Sequence, residues 1–332
     1  MPIQIAFIAD PHLCIQARRR NLMSLLDRKL WANIDVFSQV DPDGPENHFA
    51  ALRPSSYDDV PLLAAADFLG EFARQLDLLV VLGDLATSGL DEDLAVAEQV
   101  FLDDRTKEHL NAALEPRLGG LGIPLHVIPG NHDRYKDDYA TPGCQKFDEV
   151  FKSVYRPKNG VCSEIISSDG VSLALISADF CFAEGAEISY VRRLGRGAVD
   201  DIVLSELDHK TRIFQREHPT MPVVWALHFS PAEGVSTALA LEEREKVIHL
   251  AGTLGVNHIF CGHTHLRKRE IGTHPHVYCA GSVSSVDSSD NHFLHVCTID
   301  RNSSGELELE VFDLKYDETE DEFTAHPVSL VA

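Results

Sequence analysis

The sequence predicts an α/β fold, and three observations carry that prediction. Short apolar runs rich in Val, Ile and Leu recur at 3–9, 78–82, 124–129, 222–227 and 256–261, the length and composition of buried strands. Between them, segments with apolar residues spaced by three and four read as helices, so strand and helix alternate. Each run stops at a short polar motif, and open α/β sheets bind ligands beyond the carboxyl ends of their strands.

The first run, 3–9, ends in Asp10-Pro11-His12. Residues 14–60 are longer than a strand-to-helix connection needs and read as a cap or insertion over the cleft. Within them Leu22, Leu25, Leu26, Leu30 and Ile34 fall on one helical face, with Arg18, Arg19, Arg20, Arg28 and Lys29 mostly elsewhere. Such a basic amphipathic helix packs on its own domain, meets an anionic surface or pairs with a second copy in a homodimer. The stretch 41–56, rich in Pro, Asp and Asn, reads as a loop. A helix at 58–75 leads into the run 78–82, which ends in Gly83-Asp84. A helix at 91–115 precedes the run 124–129 and Gly130-Asn131-His132-Asp133. Helices at 144–155, 201–217 and 239–254 frame the last two runs, which end at His228 and at Gly262-His263-Thr264-His265. After His265 short strands at 277–280, 293–299 and 307–314 alternate with Ser-, Asp- and Gly-rich turns, so a β-rich part at 276–314 closes the chain in hairpins. No internal repeat or low-complexity linker interrupts the chain, and 1–332 reads as a single domain.

Apolar residues make up 44% of the sequence, enough for a sizeable core. The net charge of −23 disfavours duplex nucleic acid and anionic lipid as partners. Part of that charge sits at the strand ends, and part is a solvated acidic stretch at 317–322. No apolar run is long enough to cross a bilayer, and the first strand begins at Ile3, so a cytoplasmic protein is expected. Seven cysteines, at 14, 144, 162, 181, 261, 279 and 297, form no CxxC pair and read as buried reduced thiols.

Asp, His and Asn side chains brought to one cleft by five strand ends are the donor set of a metal site. Two divalent ions about 3.5–4 Å apart need a carboxylate between them. Asp84, alone at its strand end, is the natural bridge. Asp10 and His12, two apart on an extended segment, point to one side and can grip one ion, and His263 and His265 share that spacing. Gly83, Gly130 and Gly262 open the turns, where a missing Cβ permits close backbone approach. Nitrogen and oxygen donors without thiolate admit Mn, Fe, Zn or Co.

In this order the motifs resemble the D-x-H, G-D, G-N-H-[DE], H, G-H-x-H signature of the calcineurin-like metallophosphoesterase superfamily, with no position missing between residues 10 and 265. The resemblance implies a four-layer α/β/β/α sandwich with two central mixed sheets. It implies two metal ions, one held by Asp10, His12, Asp84 and His265 and the other by Asp84, Asn131, His228 and His263. His132 would be the catalytic imidazole and Asp133 its orienting neighbour. A hydroxide bridging the metals would attack phosphorus in line, while His132 stabilises the oxyanion or protonates the leaving alkoxide.

Details within the motifs narrow the branch. The stretch 83–89 lacks the GDxVDRG pattern of Ser/Thr protein phosphatases, and no tyrosine ligand of the purple acid phosphatase kind follows it. UDP-diacylglucosamine hydrolases carry Arg where His132 stands. The DxH and GNHD motifs are similar to those of class III cyclic nucleotide phosphodiesterases and their glycerophosphodiesterase relatives. They also suit DNA-repair nucleases, against which the acidity and the lack of a distinct basic domain stand. The expected activity is hydrolysis of a small phosphodiester such as a 3′,5′-cyclic nucleotide. The alternatives are a phosphomonoesterase or nuclease with the same site, or a metal-binding scaffold without turnover. Substrate choice is expected in the loops 14–56, 134–143 and 179–200. The last carries Arg192, Arg193 and Arg196, candidate phosphate-binding residues or else exposed loop arginines. His209, His218, His249, His258, His274, His276, His292 and His295 belong to no motif and read as structural or surface residues.

Overall fold

The computed structural model describes residues 2–13, 60–103, 118–134, 145–181, 197–236, 239–271, 274–284 and 292–325. The expected cap with its apolar stripe, and Arg192, Arg193 and Arg196, lie outside the described residues. The chain begins with β1 (Ile3–Ile8), α1 (Val60–Phe72), β2 (Leu78–Val81), α2 (Asp91–Leu102), β3 (Leu125–Val127) and α3 (Lys146–Val150). It continues with β4 (Val161–Ser168), β5 (Val171–Ala178), β6 (Gly197–Ala198), α4 (Asp201–Glu217), β7 (Val223–Leu227), β8 (Leu241–Glu242) and α5 (Arg244–Leu254). Then come β9 (His258–Cys261), β10 (Lys268–Glu270), β11 (His276–Cys279), β12 (Phe293–Arg301), β13 (Leu307–Asp317) and β14 (Glu322–Ala325).

Two six-stranded mixed sheets result, in the orders β14-β13-β12-β1-β2-β3 and β10-β11-β9-β7-β5-β4. Successive side chains on a strand face opposite ways, and here both faces are apolar. Ile3, Ile5 and Phe7 of β1 and Leu78 and Val80 of β2 point between the sheets, where Leu175, Val224, Ala226 and Phe260 meet them. Phe7 and Phe260 stack across that interface with ring centroids 3.9 Å apart. The alternate residues Ala6, Ile8, Leu79 and Val81 pack with Leu69, Phe101 and Phe147 from α1, α2 and α3. On the far side Trp225, Leu227 and Ile259 pack with Val203 and Leu207 of α4 and Val247 of α5. The order of layers is therefore α/β/β/α, as the resemblance implies.

All five apolar runs become strands. β1, β2 and β3 run parallel, as do β5, β7 and β9, so their carboxyl ends line up along one edge of each sheet. The expected C-terminal hairpins hold for β12, β13 and β14, which form an antiparallel meander. β11 departs from that expectation: it pairs parallel to β9 and antiparallel to β10, in the other sheet. Val277 and Cys279 pack toward the helices while Tyr278 fills the inter-sheet core, so β11 is covered on both faces. The segment expected to be helical from 239 instead opens with β8, and the left-handed Glu243 (φ 61°) precedes α5. The helix expected at 144–155 is confined to the five residues of α3, and α2 ends at Leu102. The unforeseen β4–β5 hairpin turns at Asp169-Gly170, both at positive φ (42° and 82°), the pairing that a type I′ hairpin turn demands. Among the described residues no helix is long and apolar enough to cross a membrane.

Candidate metal centre

Asp10 and His12 follow β1, Asp84 follows β2, and Asn131 and His132 follow β3. From the second sheet, His228 follows β7, and His263 and His265 follow β9. All of these side chains are buried except His265, which is partly exposed. The extended backbone expected for the paired motifs is not what forms. Asp10, His12, Asp84, His263 and His265 all adopt left-handed conformations, with φ of 54°, 45°, 52°, 70° and 52°. Non-glycine residues pay of order 1–3 kcal/mol each for such backbone, and they persist where surrounding bonds over-determine them. Here Asp10 N–H donates to the Gly83 carbonyl (3.1 Å), His12 N–H to the Asp84 carbonyl (2.9 Å) and Thr87 Oγ1 to the His12 carbonyl (2.7 Å). The tight turns fold neighbouring donors inward onto a common centre.

Glycine makes room at that centre. A Cβ on Gly130 would lie 2.1 Å from Asp84 Oδ1, and one on Gly83, itself at φ 96°, 2.4 Å from His228 Nδ1. Asp84 sits in the middle. Its Oδ2 lies 3.4 Å from His228 Nε2, 3.7 Å from His12 Nε2 and 3.9 Å from His132 Nε2. Its Oδ1 accepts the His132 backbone N–H at 2.9 Å. Three sets of donors converge closely enough to bind an ion: Asp10, His12 and His265; Asp84, His228 and His263; and His12, Asp84 and His132. His263 and His265 thus fall into different sets, and Asp84 falls into two.

Backbone carbonyls decide which ring nitrogens face inward. His228 Nδ1–H donates to the Leu82 carbonyl at 2.8 Å, and His132 Nδ1–H to the Thr87 carbonyl at 2.9 Å, so each ring presents Nε2 to the centre. His12 Nε2 then lies 2.9 Å from His265 Nε2, and two uncharged rings facing each other so need a shared proton or a cation between their lone pairs. His228 Nε2 is 3.0 Å from Asn131 Oδ1, within reach of a hydrogen bond while it carries a proton and of a shared cation once it loses it. Asp84 Oδ2 is buried with no well-formed hydrogen bond, its nearest polar neighbour being His228 Nε2 at 3.4 Å. A buried carboxylate oxygen left so is costly in a protein interior, and a cation removes that cost. The residues fit a metal centre.

Electrostatics divide the donors by charge. Burial lowers the pKa of His12 well below its ordinary value, and it lowers His265 to about 4, so both imidazoles offer lone pairs at neutral pH. For His228 burial acts downward too, but the Asp84 carboxylate outweighs it and raises the group to about 9. Asp84 itself is held low: burial raises it, and the neighbouring His228 and His132 more than compensate. Burial raises Asp10 well above the usual carboxylate range.

The orienting role expected of Asp133 requires correction. Its Oδ2 accepts the N–H groups of Gly130 (2.9 Å) and Leu85 (3.1 Å), and its Oδ1 that of Ala86 (2.8 Å). Asp133 therefore ties the loop after β3 to the loop after β2, and the Thr87 carbonyl orients the His132 ring. Burial first, and Asp84 second, push the Asp133 carboxyl up to about 7 against these three bonds. Sequence reasoning also passed over Arg134, the next residue, whose buried guanidinium pairs with Asp179 at the end of β5 (2.7 Å). Its position directly after the GNHD motif was the available signal.

Two mixed sheets between helices, with a cluster of Asp, His and Asn at their strand ends, define an α/β protein built around a candidate dimetal site. Residues 3–267 match the calcineurin-like phosphoesterase family, and the chain belongs to it. That family consists of phosphoric ester hydrolases with a dimetal centre. No curated protein matches the chain in sequence. Among solved structures it is similar to a dimetal phosphatase from Danio rerio, with 14% identity and a TM-score of 0.53 over 96% of this chain and 100% of that one. It is also similar to GAP50, the anchor in the inner membrane complex of Plasmodium, at 10% identity and a TM-score of 0.53, covering 98% of this chain and 88% of that one. A putative 5′-nucleotidase from Staphylococcus aureus shares 11% identity at a TM-score of 0.51, over 96% of this chain and 55% of that one. At these identities the likeness is one of fold.

Proposed function

We propose that the chain is a two-metal phosphoesterase acting on a small phosphate ester. The observation that carries this reading is Asp84, a buried carboxylate whose Oδ2 lies within 3.4–3.9 Å of the Nε2 atoms of His228, His12 and His132. Asp10, His12, Asp84 and His265 would hold one ion, and Asp84, Asn131, His228 and His263 the other. Bound there, two cations supply an activated water and neutralise charge on the phosphoryl oxygens. His132 is not needed as a ligand in this scheme. Its ring is fixed by the Thr87 carbonyl, and its Nε2 faces the centre from a side chain that retains 11% exposure to the cleft. Burial lowers its pKa, and the negative charge of an arriving phosphate acts in the opposite sense. As imidazolium it donates a hydrogen bond to a phosphoryl oxygen, or a proton to the leaving alkoxide. Asp133 and Thr87 hold the loops that present it.

A small phosphodiester, with a 3′,5′-cyclic nucleotide first, remains the substrate the motif details favour. A phosphomonoester is the second reading, favoured by the folds shared with a dimetal phosphatase and a putative 5′-nucleotidase. The test is hydrolysis by the Mn-loaded protein of 3′,5′-cyclic AMP, bis-p-nitrophenyl phosphate and p-nitrophenyl phosphate, with His132→Ala as the blank. Turnover of the diesters above the monoester supports the first reading, and the reverse order supports the second. Two bound metals with no turnover of any ester would overturn both and favour a scaffold.

A further inference from the structure

We propose that two buried ion networks latch the sheets together on either flank of the metal centre and set the geometry of its ligands. The first joins the loop after β3, the edge strand of the first sheet, to the end of β5 in the second. There Arg134 Nη2 pairs with Asp179 Oδ2 (2.7 Å) and Asp148 Oδ1 (2.9 Å), and Tyr155 donates its hydroxyl to the same Asp179 oxygen (3.1 Å). Asp179 Oδ1 accepts the Cys181 N–H at 2.8 Å. The second network joins β10, at the opposite edge of the second sheet, to β13 and β12 of the first. Asp313 is 1% exposed and receives Arg267 Nε (2.6 Å), Arg269 Nε (2.9 Å) and His295 Nδ1 (2.8 Å).

Of the strands that deliver ligands, β1, β2, β7 and β9 lie between these two flanks, and β3, which delivers Asn131, carries the first network on its own loop. Asp10, Asp84 and Asn131 come from one sheet, and His228, His263 and His265 from the other. Apolar packing between sheets is non-directional and tolerates small slides. Charged, hydrogen-bonded pairs held at a fixed angle do not. Each network also begins within two residues of a candidate ligand or the catalytic imidazole: Arg134 after His132, and Arg267 after His265. Arg134, Asp179, Arg267, Arg269 and Asp313 are therefore positioning residues. This inference rests on the ligand assignment proposed above.

The experiment is Mn²⁺ titration of the metal-stripped full chain by calorimetry, beside circular dichroism and thermal melts. Asp179→Asn and Asp313→Asn should each weaken Mn²⁺ binding, by up to the roughly 10-fold at the lower end of what losing a direct partner of a metal ligand costs, since they act through Arg134, Arg267 and Arg269. Leu69→Ala, a buried core change on the helix side of the first sheet, should lower the melting temperature and leave Mn²⁺ affinity unchanged. Wild-type affinity in both Asn variants would overturn the proposal, and so would an equal loss in Leu69→Ala. Where an Asn variant does not fold, Arg134→Lys and Arg267→Lys keep the charge and lose the fork, and the same criterion applies to them. Asp84→Ala separates the two ideas: if it binds Mn²⁺ like the wild type, the ligand assignment itself fails.

Discussion

Replacing Gly130 by Ala tests the packing of the centre without substituting a candidate ligand. Gly130 does not lie in the left-handed region, so its backbone suits alanine and the effect is steric. The new Cβ would lie 2.1 Å from Asp84 Oδ1, 2.5 Å from Asp84 N and 2.7 Å from Asp84 Cγ, where ordinary contact starts at 3.4 Å. The carboxylate must move by more than 1 Å, because backbone and side chain of the same residue block the alternative. Overpacking of this kind costs about 1–3 kcal/mol. Displacing Oδ1 also breaks its bond from the His132 N–H, worth about 1.5–3 kcal/mol for a charged acceptor. The combined loss, of the order of 2.5–6 kcal/mol, should lower the melting temperature of the metal-free protein by roughly 4–9 °C for a chain of 332 residues. It should also abolish measurable Mn²⁺ binding at micromolar concentration. Gly252→Ala, inside α5 with nothing within 4 Å of its added Cβ, is the control and should hold or raise the melting temperature. A Gly130→Ala protein that melts within a degree of wild type and binds Mn²⁺ equally well would refute the steric reasoning.

Three other outcomes are expected. His132→Ala should retain both metals by elemental analysis and lose about 10²–10⁴-fold in turnover, the scale of a general acid; unchanged turnover would remove it from the mechanism. Asp84→Ala should lose metal outright, since it sits in two of the three donor sets, and a full metal complement would remove it as a bridge. In the metal-free protein the folded pKa of His228 is about 9 against an unfolded value of 6.5. The folded state thus holds a proton that the unfolded state has released, so this stabilisation is complete below pH 6.5 and is lost as pH rises through 9. The loss between pH 7 and 9 should be of the order of 2–3 kcal/mol. It should vanish in His228→Gln, and a flat stability profile of the wild type across that window would contradict the coupling to Asp84.

The sequence by itself determined which residues meet. Chain-local rules suffice for that: apolar runs specify buried strands, parallel strands align their ends, and the residue after each end is delivered to a shared edge. Asp10, Asp84, Asn131, His228 and His263 were legible on those grounds, and so were Gly83 and Gly130 as points of close approach. Other features depend on partners far away along the chain. The nitrogen that His132 turns inward is chosen by a carbonyl 45 residues away, and that of His228 by one 146 residues away. No spacing rule carries that information. The left-handed turns at Asp10 and His12 run against the intrinsic preference of those residues and are held by backbone bonds to Gly83 and Asp84, more than 70 residues away. Asp133, which reads in sequence as a partner for its neighbour, is drawn by the N–H groups of Leu85 and Ala86 in the loop after β2 and of Gly130 in its own turn. Arg134 with Asp179, and Asp313 with two arginines, look like ordinary charges in the sequence. They pair because folding packs two sheets face to face, where burial makes a lone charge too costly to leave unmatched.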